Sequence, residues 1–321
     1  GARAMKHVFI INPTAGKRDA TVELMEMAKG LQARHGLEVE CILTKRAGHA
    51  AETARSMAQT GEDLRFYACG GDGTINEVAN GIIGLPNAAM TCVPVGTGND
   101  FLKNFGDAAP LFSDPENLFD GPQFPLDAIE CNGRAALTIA CSGFDAQVAH
   151  DVHRFGQSPL LGSRSSYIAS LAVNFLLRDL GHTWTVTLDG QSLTGSFVLA
   201  SVCNGRYYGG GFMPVAEARM DDGVLNTMVV KKVSRLDFLK FVGAYANGGY
   251  YRFPQYARCY TAREVVIESH DRDIVTCLDG ESIIGRRVEL RMAQGKVNFF
   301  GPRGCDPNAT ARPLPAEAAS L

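Results

Sequence analysis

Along the first hundred residues apolar positions fall into two alternating rhythms. Short continuous runs, His7–Ile11, Leu37–Leu43, Leu64–Cys69 and Met90–Val93, read as buried strands. Between them Val22, Leu24, Met25, Ala28 and Leu31, and then the stretch Ala50–Met57, repeat at helical spacing, with Asp19 placed to cap the first helix. Such alternation with short connections predicts an open parallel sheet flanked by helices, which binds its ligands beyond the carboxyl ends of the strands. After about residue 125 the rhythm changes. Short β-like segments take over: Leu126–Cys131, Ala135–Cys141, Thr183–Leu188, Ser196–Cys203, Leu225–Val230, Glu264–Ser269, Ile274–Leu278 and Val288–Met292. Gly, Asp and Asn punctuate them, which predicts a mainly antiparallel sandwich or barrel. Helical patterns at Ser165–Arg178 and Arg235–Ala246, and the aromatic group Tyr245, Tyr250, Tyr251, Phe253 and Tyr256, are expected to pack on its core. The predicted division is an α/β domain over 1–125, a β domain over 126–287 and a disordered tail over 304–321.

Bulk properties narrow the function. The 321 residues suffice for two cores, and 45% hydrophobic with 20% charged residues is ordinary for a globular protein. A net charge of −3 argues against a nucleic-acid binder that relies on a basic surface, while leaving room for a local basic patch at an anionic membrane. No apolar run is long enough to span a bilayer, and Gly1–Ala4 before Met5 lacks the apolar region of a signal peptide. Nine scattered cysteines without a Cys-x-x-Cys pair suit a reduced, cytoplasmic protein. His150 and His153 have no carboxylate spaced to complete a metal site.

The chemistry concentrates in Gly70-Gly71-Asp72-Gly73-Thr74-Ile75-Asn76-Glu77-Val78-Ala79-Asn80-Gly81. A glycine-rich turn between a strand and a helix gathers free N–H groups and the positive helix end at one point, the local physics of a phosphate site. Asp72 facing polyphosphate is repulsive unless a cation lies between, so it points to Mg²⁺. A dinucleotide fingerprint is excluded because Asn76 stands where the third glycine belongs, and a Walker loop because Ile11 and Arg18 replace its first glycine and its Ser/Thr. Two further loops, Asn12–Lys17 and Gly96-Thr97-Gly98-Asn99-Asp100, also follow strands and should meet the first at one sheet edge. Asp127, an acidic residue in an apolar strand, reads equally as a solvated outer position or as part of the site. Asp279-Gly280 alone reads as a hairpin turn.

These segments resemble the diacylglycerol kinase catalytic-domain family, most closely its bacterial soluble lipid kinases. The resemblance runs from Met5 to about Gly301 and rests on Asn12–Lys17, Gly70–Gly81, Pro94–Asp100, Gly143-Phe144-Asp145, Asn204-Gly205, Gly209–Gly211, Asp221–Gly223 and Asp279–Glu281. It implies an NAD kinase- or phosphofructokinase-like α/β domain followed by a β-sandwich, with the chain end, about 288–303, returning to the first domain. It further implies ATP held by Gly70, Gly71, Asp72, Gly73, Thr74, Ile75 and Asn76 and by Thr97, with Thr44 near the nucleotide; Asn12 and Lys17 join this set. The family's proton acceptor maps onto Glu281, and its metal-linked acidic network onto Asp72, Asp100 and Asp127. A structural Mg²⁺ would take the Asp222 side chain and the backbone carbonyls of Arg219 and Val224, although Ala216-Glu217-Ala218 stands where the family has Pro-x-Ala.

The expected activity is thus ATP- and Mg²⁺-dependent phosphorylation of a membrane-lipid hydroxyl, with diacylglycerol the first candidate. Attachment to the inner face of the membrane would be peripheral, and an exposed-edged sandwich is open to homodimerisation. A small-molecule kinase of the NAD kinase type and a catalytically idle lipid- or nucleotide-binding regulator are the competing readings. The Asn-Glu-Val-x-Asn-Gly continuation speaks against the first, and retention of Asp72, Asp100, Asp127 and Glu281 together against the second.

Overall fold

The computed structural model describes residues 4–96, 99–144, 146 and 181–318. Thr97, Asp145, His150, His153 and the predicted helix Ser165–Arg178 lie outside them. The chain divides into two compact units, one made of Gly1–Ala128, Arg134–Leu137 and Ala293–Thr310, the other of Ile129–Gly133, Thr138–Met292 and Ala311–Leu321.

In the first unit the alternating pattern yields β1 (Lys6–Ile11), α1 (Thr21–His35), β2 (Glu38–Leu43), α2 (His49–Ala58), β3 (Leu64–Gly70), α3 (Asp72–Ile82), β4 (Ala88–Pro94) and the short α4 (Asp100–Lys103). β5 (Gln123–Leu126) follows two 3₁₀ turns. The sheet runs in the order β2-β1-β3-β4-β17-β5, where β17 (Val297–Phe300) arrives from the far end of the chain. β2, β1, β3, β4 and β17 are mutually parallel, and β5 is antiparallel to β17. Strands buried on both faces need continuous apolar runs, and β1 and β3 supply them. Phe9 and Tyr67 stack at 4.2 Å within that core, and Phe101, Phe105 and Phe112 gather around Phe299.

The connection from β1 leads out to β2, whereas the next one crosses to the other side of β1 to form β3. Strand order therefore reverses between β1 and β3. A crevice opens at such a reversal beyond the carboxyl ends of the two strands. Here those ends are Ile11 and Gly70, the starts of two of the three predicted loops.

The second unit is antiparallel. Its strands are β6 (Ile129–Cys131), β8 (Ile139–Gly143), β9 (His182–Leu188), β10 (Gln191–Cys203), β11 (Leu225–Lys231), β12 (Ala257–Ala262), β13 (Glu264–Ser269), β14 (Ile274–Leu278), β15 (Glu281–Gly285) and β16 (Arg287–Met292), with helix α5 (Arg235–Ala246) between β11 and β12. They order as β15-β14-β8-β10-β9-β13-β16-β6, and β11 pairs with both β10 and β12. β10 is long enough to serve two groups of strands. Gln191–Phe197 pair with β9, the register shifts between Phe197 and Leu199, and Leu199–Cys203 pair with β8 and β11. A bulge of this kind bends a strand from one layer of a sandwich into another. The core gathers Val198, Leu199, Cys203, Met228 and Val230 under Phe238, Phe241 and Tyr245 of α5.

Two expected strands prove to be pairs. Leu126–Cys131 breaks at Asp127-Ala128 into β5 and β6, which belong to different sheets, and Ala135–Cys141 breaks into β7 (Arg134–Ala136) and β8. The aromatic group packs inward as expected: Tyr245 and Tyr250 are buried, and Tyr251, Phe253 and Tyr256 lean on the same core. The segment expected to be a disordered tail makes defined contacts. Arg312 N–H donates to Ala216 O at 2.8 Å, and Leu314 packs on the core. Among the described residues no helix is long and apolar enough to cross a membrane.

Candidate active site

At the β3–α3 turn each glycine has its own reason. A Cβ on Gly70 would lie 2.3 Å from Thr74 Oγ1, so the turn itself demands glycine. A Cβ on Gly71 or Gly73 would meet nothing within 4 Å. These two therefore keep open space in front of the first turn of α3, where N–H groups have no intrahelical partner. Gly81 serves packing, since its Cβ would press on Ala51 O and Ala54 Cβ, both at 2.7 Å, where α2 crosses α3. One motif thus carries a ligand-facing end and a packing end.

The three loops of the first unit meet. Asn12 Nδ2 donates to Thr74 Oγ1 at 3.5 Å across the strand-order reversal, while Asn12 Oδ1 accepts from Thr14 N at 3.1 Å and fixes its own loop. Gly16 has φ +73 and Gly96 φ +86, and a Cβ on Gly96 would stand 3.2 Å from Gly16 Cα. The first and third loops are therefore backed against each other, glycine to glycine. Thr44 donates its N–H to Ile11 O at 2.9 Å, at the same sheet edge. Lys17 is exposed.

Asp72 joins the glycine turn to the third loop. Its two oxygens accept the N–H groups of Asp100 and Phe101 at 3.1 and 3.2 Å, and so hold the start of α4. Burial pushes its pKa up; the two N–H groups oppose that shift and the neighbouring Asp100 charge adds to it. Asp100 in turn accepts from Lys103 Nζ at 2.7 Å. Beside them both polar atoms of the Asn99 amide are shielded from solvent without a hydrogen-bond partner. A buried amide left so is costly unless something else supplies its partner.

Other predicted residues serve the scaffold. Ile75 is buried. Asn76 and Asn80, one turn apart on α3, both donate to Ala135 O at 2.9 Å, and Asn80 Oδ1 accepts from Ala135 N at 2.8 Å, clamping β7. Glu77 accepts the N–H of Gly48 at the start of α2. Asp127 is no solvated outer residue: it is fully buried and paired with Lys296, whose side chain is 48% exposed.

In the second unit Asp279 and Gly280 have φ +45 and +84, and Leu278 pairs with Glu281. This is the Asp-Gly hairpin turn the sequence suggested, with both central residues left-handed. It sets Glu281, exposed, at the start of edge strand β15. Thr138 Oγ1 donates to Asp279 Oδ1 at 2.7 Å, and Thr138 O accepts from Asn204 and Gly205, both at 2.9 Å. Thr138 thereby ties two of the quoted segments together. Neither it nor Lys296 has any local pattern that marks it.

Residues 6–131 match the diacylglycerol kinase catalytic domain, and residues 138–299 match the YegS C-terminal NAD kinase beta sandwich-like domain. The chain belongs to the diacylglycerol kinase catalytic-domain family. Among this family's members, the protein named diacylglycerol kinase of Bacillus subtilis is 29% identical over 239 residues, 74% of this chain and 77% of that one. A Pseudomonas aeruginosa protein named "probable lipid kinase YegS-like" is 27% identical over 292 residues, 89% of this chain and 92% of its own length. A crystal structure of a diacylglycerol kinase from Bacillus anthracis shares the fold, with a TM-score of 0.69 at 22% identity, over 92% of this chain and 96% of that one.

Against the family's pattern, the loop Arg219–Val224 holds its own cations. Arg263 donates to Gly223 O at 2.7 Å, and Arg219 Nε lies 3.7 Å from Asp221 Oδ1. Asp222 Oδ1 accepts from Val224 N at 3.3 Å. Two guanidinium groups thus stand beside the three groups expected to hold Mg²⁺, and their charge opposes a divalent ion there.

Proposed function

We propose that this member of the family is an ATP- and Mg²⁺-dependent lipid kinase that transfers the γ-phosphoryl group of ATP to the hydroxyl of diacylglycerol, giving phosphatidic acid. The observation that carries the reading is the meeting of three loops at the strand-order reversal of the first unit. A helix start fronted by open space, two glycines back to back and the unpartnered Asn99 amide lie together there. That combination suits a polyphosphate, which brings acceptor oxygens to N–H and amide donors.

The acidic pair fits a metal–nucleotide complex. The Asp100 charge makes ionised Asp72 more costly, and the Asp72 carboxylate can accept more than the two N–H bonds that hold α4. Mg²⁺ held there would neutralise charge on the phosphates during transfer. Asp72 also sets α4, so its role is double: positioning the third loop and facing the cation. Asp127 with Lys296 would support the network from within the fold.

Glu281 would accept the proton that the lipid hydroxyl loses as its oxygen bonds to phosphorus and the bond to the ADP oxygen breaks. General-base help of this kind contributes about 10²–10⁴ in rate, and positioning with charge stabilisation must contribute the rest. The test is transfer of labelled γ-phosphate, with Mg²⁺, to micellar diacylglycerol, phosphatidylglycerol, sphingosine, ceramide and undecaprenol, with NAD as a soluble acceptor. Diacylglycerol should be labelled, with transfer lost in Asp72→Asn and Glu281→Gln. Labelling of NAD alone would overturn the lipid reading. ATP binding without transfer to any acceptor would favour a regulator.

A further inference from the structure

Helix α5 covers the second unit's core with one side only. Phe238, Phe241, Ala244 and Tyr245 are buried. Winding at ~100° per residue places Arg235, Leu239, Gly243, Leu236 and Lys240, in that angular order, on an outward arc about 140° wide. All five are exposed, with Leu236 at 71% and Leu239 at 54%. The leucines occupy the middle of the arc and the cations its flanks. Lys231 and Lys232, also exposed, precede the helix, whose start is capped by Ser234 Oγ accepting from Asp237 N at 3.2 Å. Among the described residues Lys231, Lys232 and Lys240 have no ion-pair partner. Asp237, the helix's only carboxylate, keeps company with the Tyr256 hydroxyl, away from the leucines.

A positive rim around exposed leucines is unusual on a chain of net charge −3. We propose that this face of α5, with Lys231 and Lys232 at its foot, is a docking surface for an anionic phospholipid bilayer. Leucines at the centre of an amphipathic helix enter the acyl boundary, while flanking lysines reach headgroup phosphates along their apolar stems. Charge decides against a second copy: two-fold pairing would bring the same cations face to face. Area decides likewise, since two leucines fall far short of the ~1,200 Å² that a stable protein interface buries. The inference rests on the lipid-kinase reading for why a bilayer should be sought, and on α5 alone for where it is met. One apolar signal plus a basic patch gives weak, reversible attachment, which suits an enzyme that must leave its product behind.

The test is co-sedimentation of the full chain, without nucleotide, on phosphatidylcholine vesicles with and without phosphatidylglycerol. Binding should require phosphatidylglycerol and weaken with salt. Leu236→Ser with Leu239→Ser, and separately Lys231→Glu with Lys232→Glu, should each lower the partition coefficient roughly tenfold or more, with unchanged melting temperature. The same proteins are assayed for phosphoryl transfer to a short-chain, monomeric diacylglycerol, which docking variants should leave intact. Vesicle binding absent from the parent chain, or equal in parent and variants, overturns the docking surface whatever the transfer assay shows. So does light scattering in which the leucine variant converts a dimer to monomer while vesicle binding is unchanged. Loss of transfer to the monomeric lipid in the parent, with vesicle binding as expected, overturns the kinase reading and leaves docking in place.

Discussion

The two units use their polar residues in opposite ways. In the first, polar groups are spent on one another: Asp72 holds α4, Asn76 and Asn80 clamp β7, Glu77 holds α2, and Asp127 takes Lys296. The Asn99 amide and the space before Gly71 and Gly73 are left for a ligand. In the second unit the candidate base, Glu281, stands exposed on an edge strand after a two-residue turn, and the structural effort lies behind it, at Thr138. A phosphate-facing edge must be rigid before its ligand arrives, because donors aimed in advance lose nothing to reorganisation. A proton acceptor needs placement more than enclosure. The difference predicts that damage to the clamps of the first unit reads out as stability, and damage at Glu281 as rate.

The largest effect expected is therefore purely kinetic. Glu281→Gln should lower the rate of transfer by about 10²–10⁴ with no change in melting temperature; a fall in stability would erase the contrast. Next comes a pH effect in the first unit. His7 is buried against the Tyr67 hydroxyl at 2.8 Å, and burial lowers its pKa to about 4. The unfolded chain takes up that proton near pH 6.5 while the folded one does not, so stability falls as pH drops from 6.5 towards 4. The loss amounts to about 3 kcal/mol in all. Urea unfolding at neutral and mildly acid pH should show it, and His7→Gln should shrink it.

A paired substitution separates the two ends of the glycine motif. Gly81→Ala should destabilise by about 2 kcal/mol through the clash with α2. Gly71→Ala should leave stability nearly unchanged and weaken ATP binding, measured by calorimetry. Equal effects at both would merge the ends. Smallest is Lys296→Met, which deprives buried Asp127 of its cation. Because Lys296 is half-exposed, about 1–2 kcal/mol is expected, below the ~3–5 kcal/mol of a fully buried pair. Thermal unfolding checks it.

Much of this was legible along the chain because it is local. Alternating runs name the parallel sheet, glycine spacing names the turn before α3, and Asp279-Gly280 names its hairpin. What escaped is pairing at a distance. The family resemblance returned the chain end to the first domain, but the residues of Val297–Phe300 carry no sign that they sit between β4 and β5, and Lys296 none that it meets a carboxylate 169 residues earlier. Nor does the apolar run through Asp127 betray that its halves join different sheets. A residue pattern encodes which face is buried, not what buries it. Asn76 shows the same limit from the other side: its place in the glycine motif suggests a ligand, yet its amide is engaged with Ala135.

The position of β17 gives the first sheet a schedule. Seen from the ribosome, every strand of the second unit has left the tunnel before residues 297–300 appear, while β4 and β5 wait with facing edges unpaired. The sheet that begins the chain thus closes only after the strands of the second unit have been made. Its half-made state is the stretch of synthesis in which a foreign strand could take the vacant place.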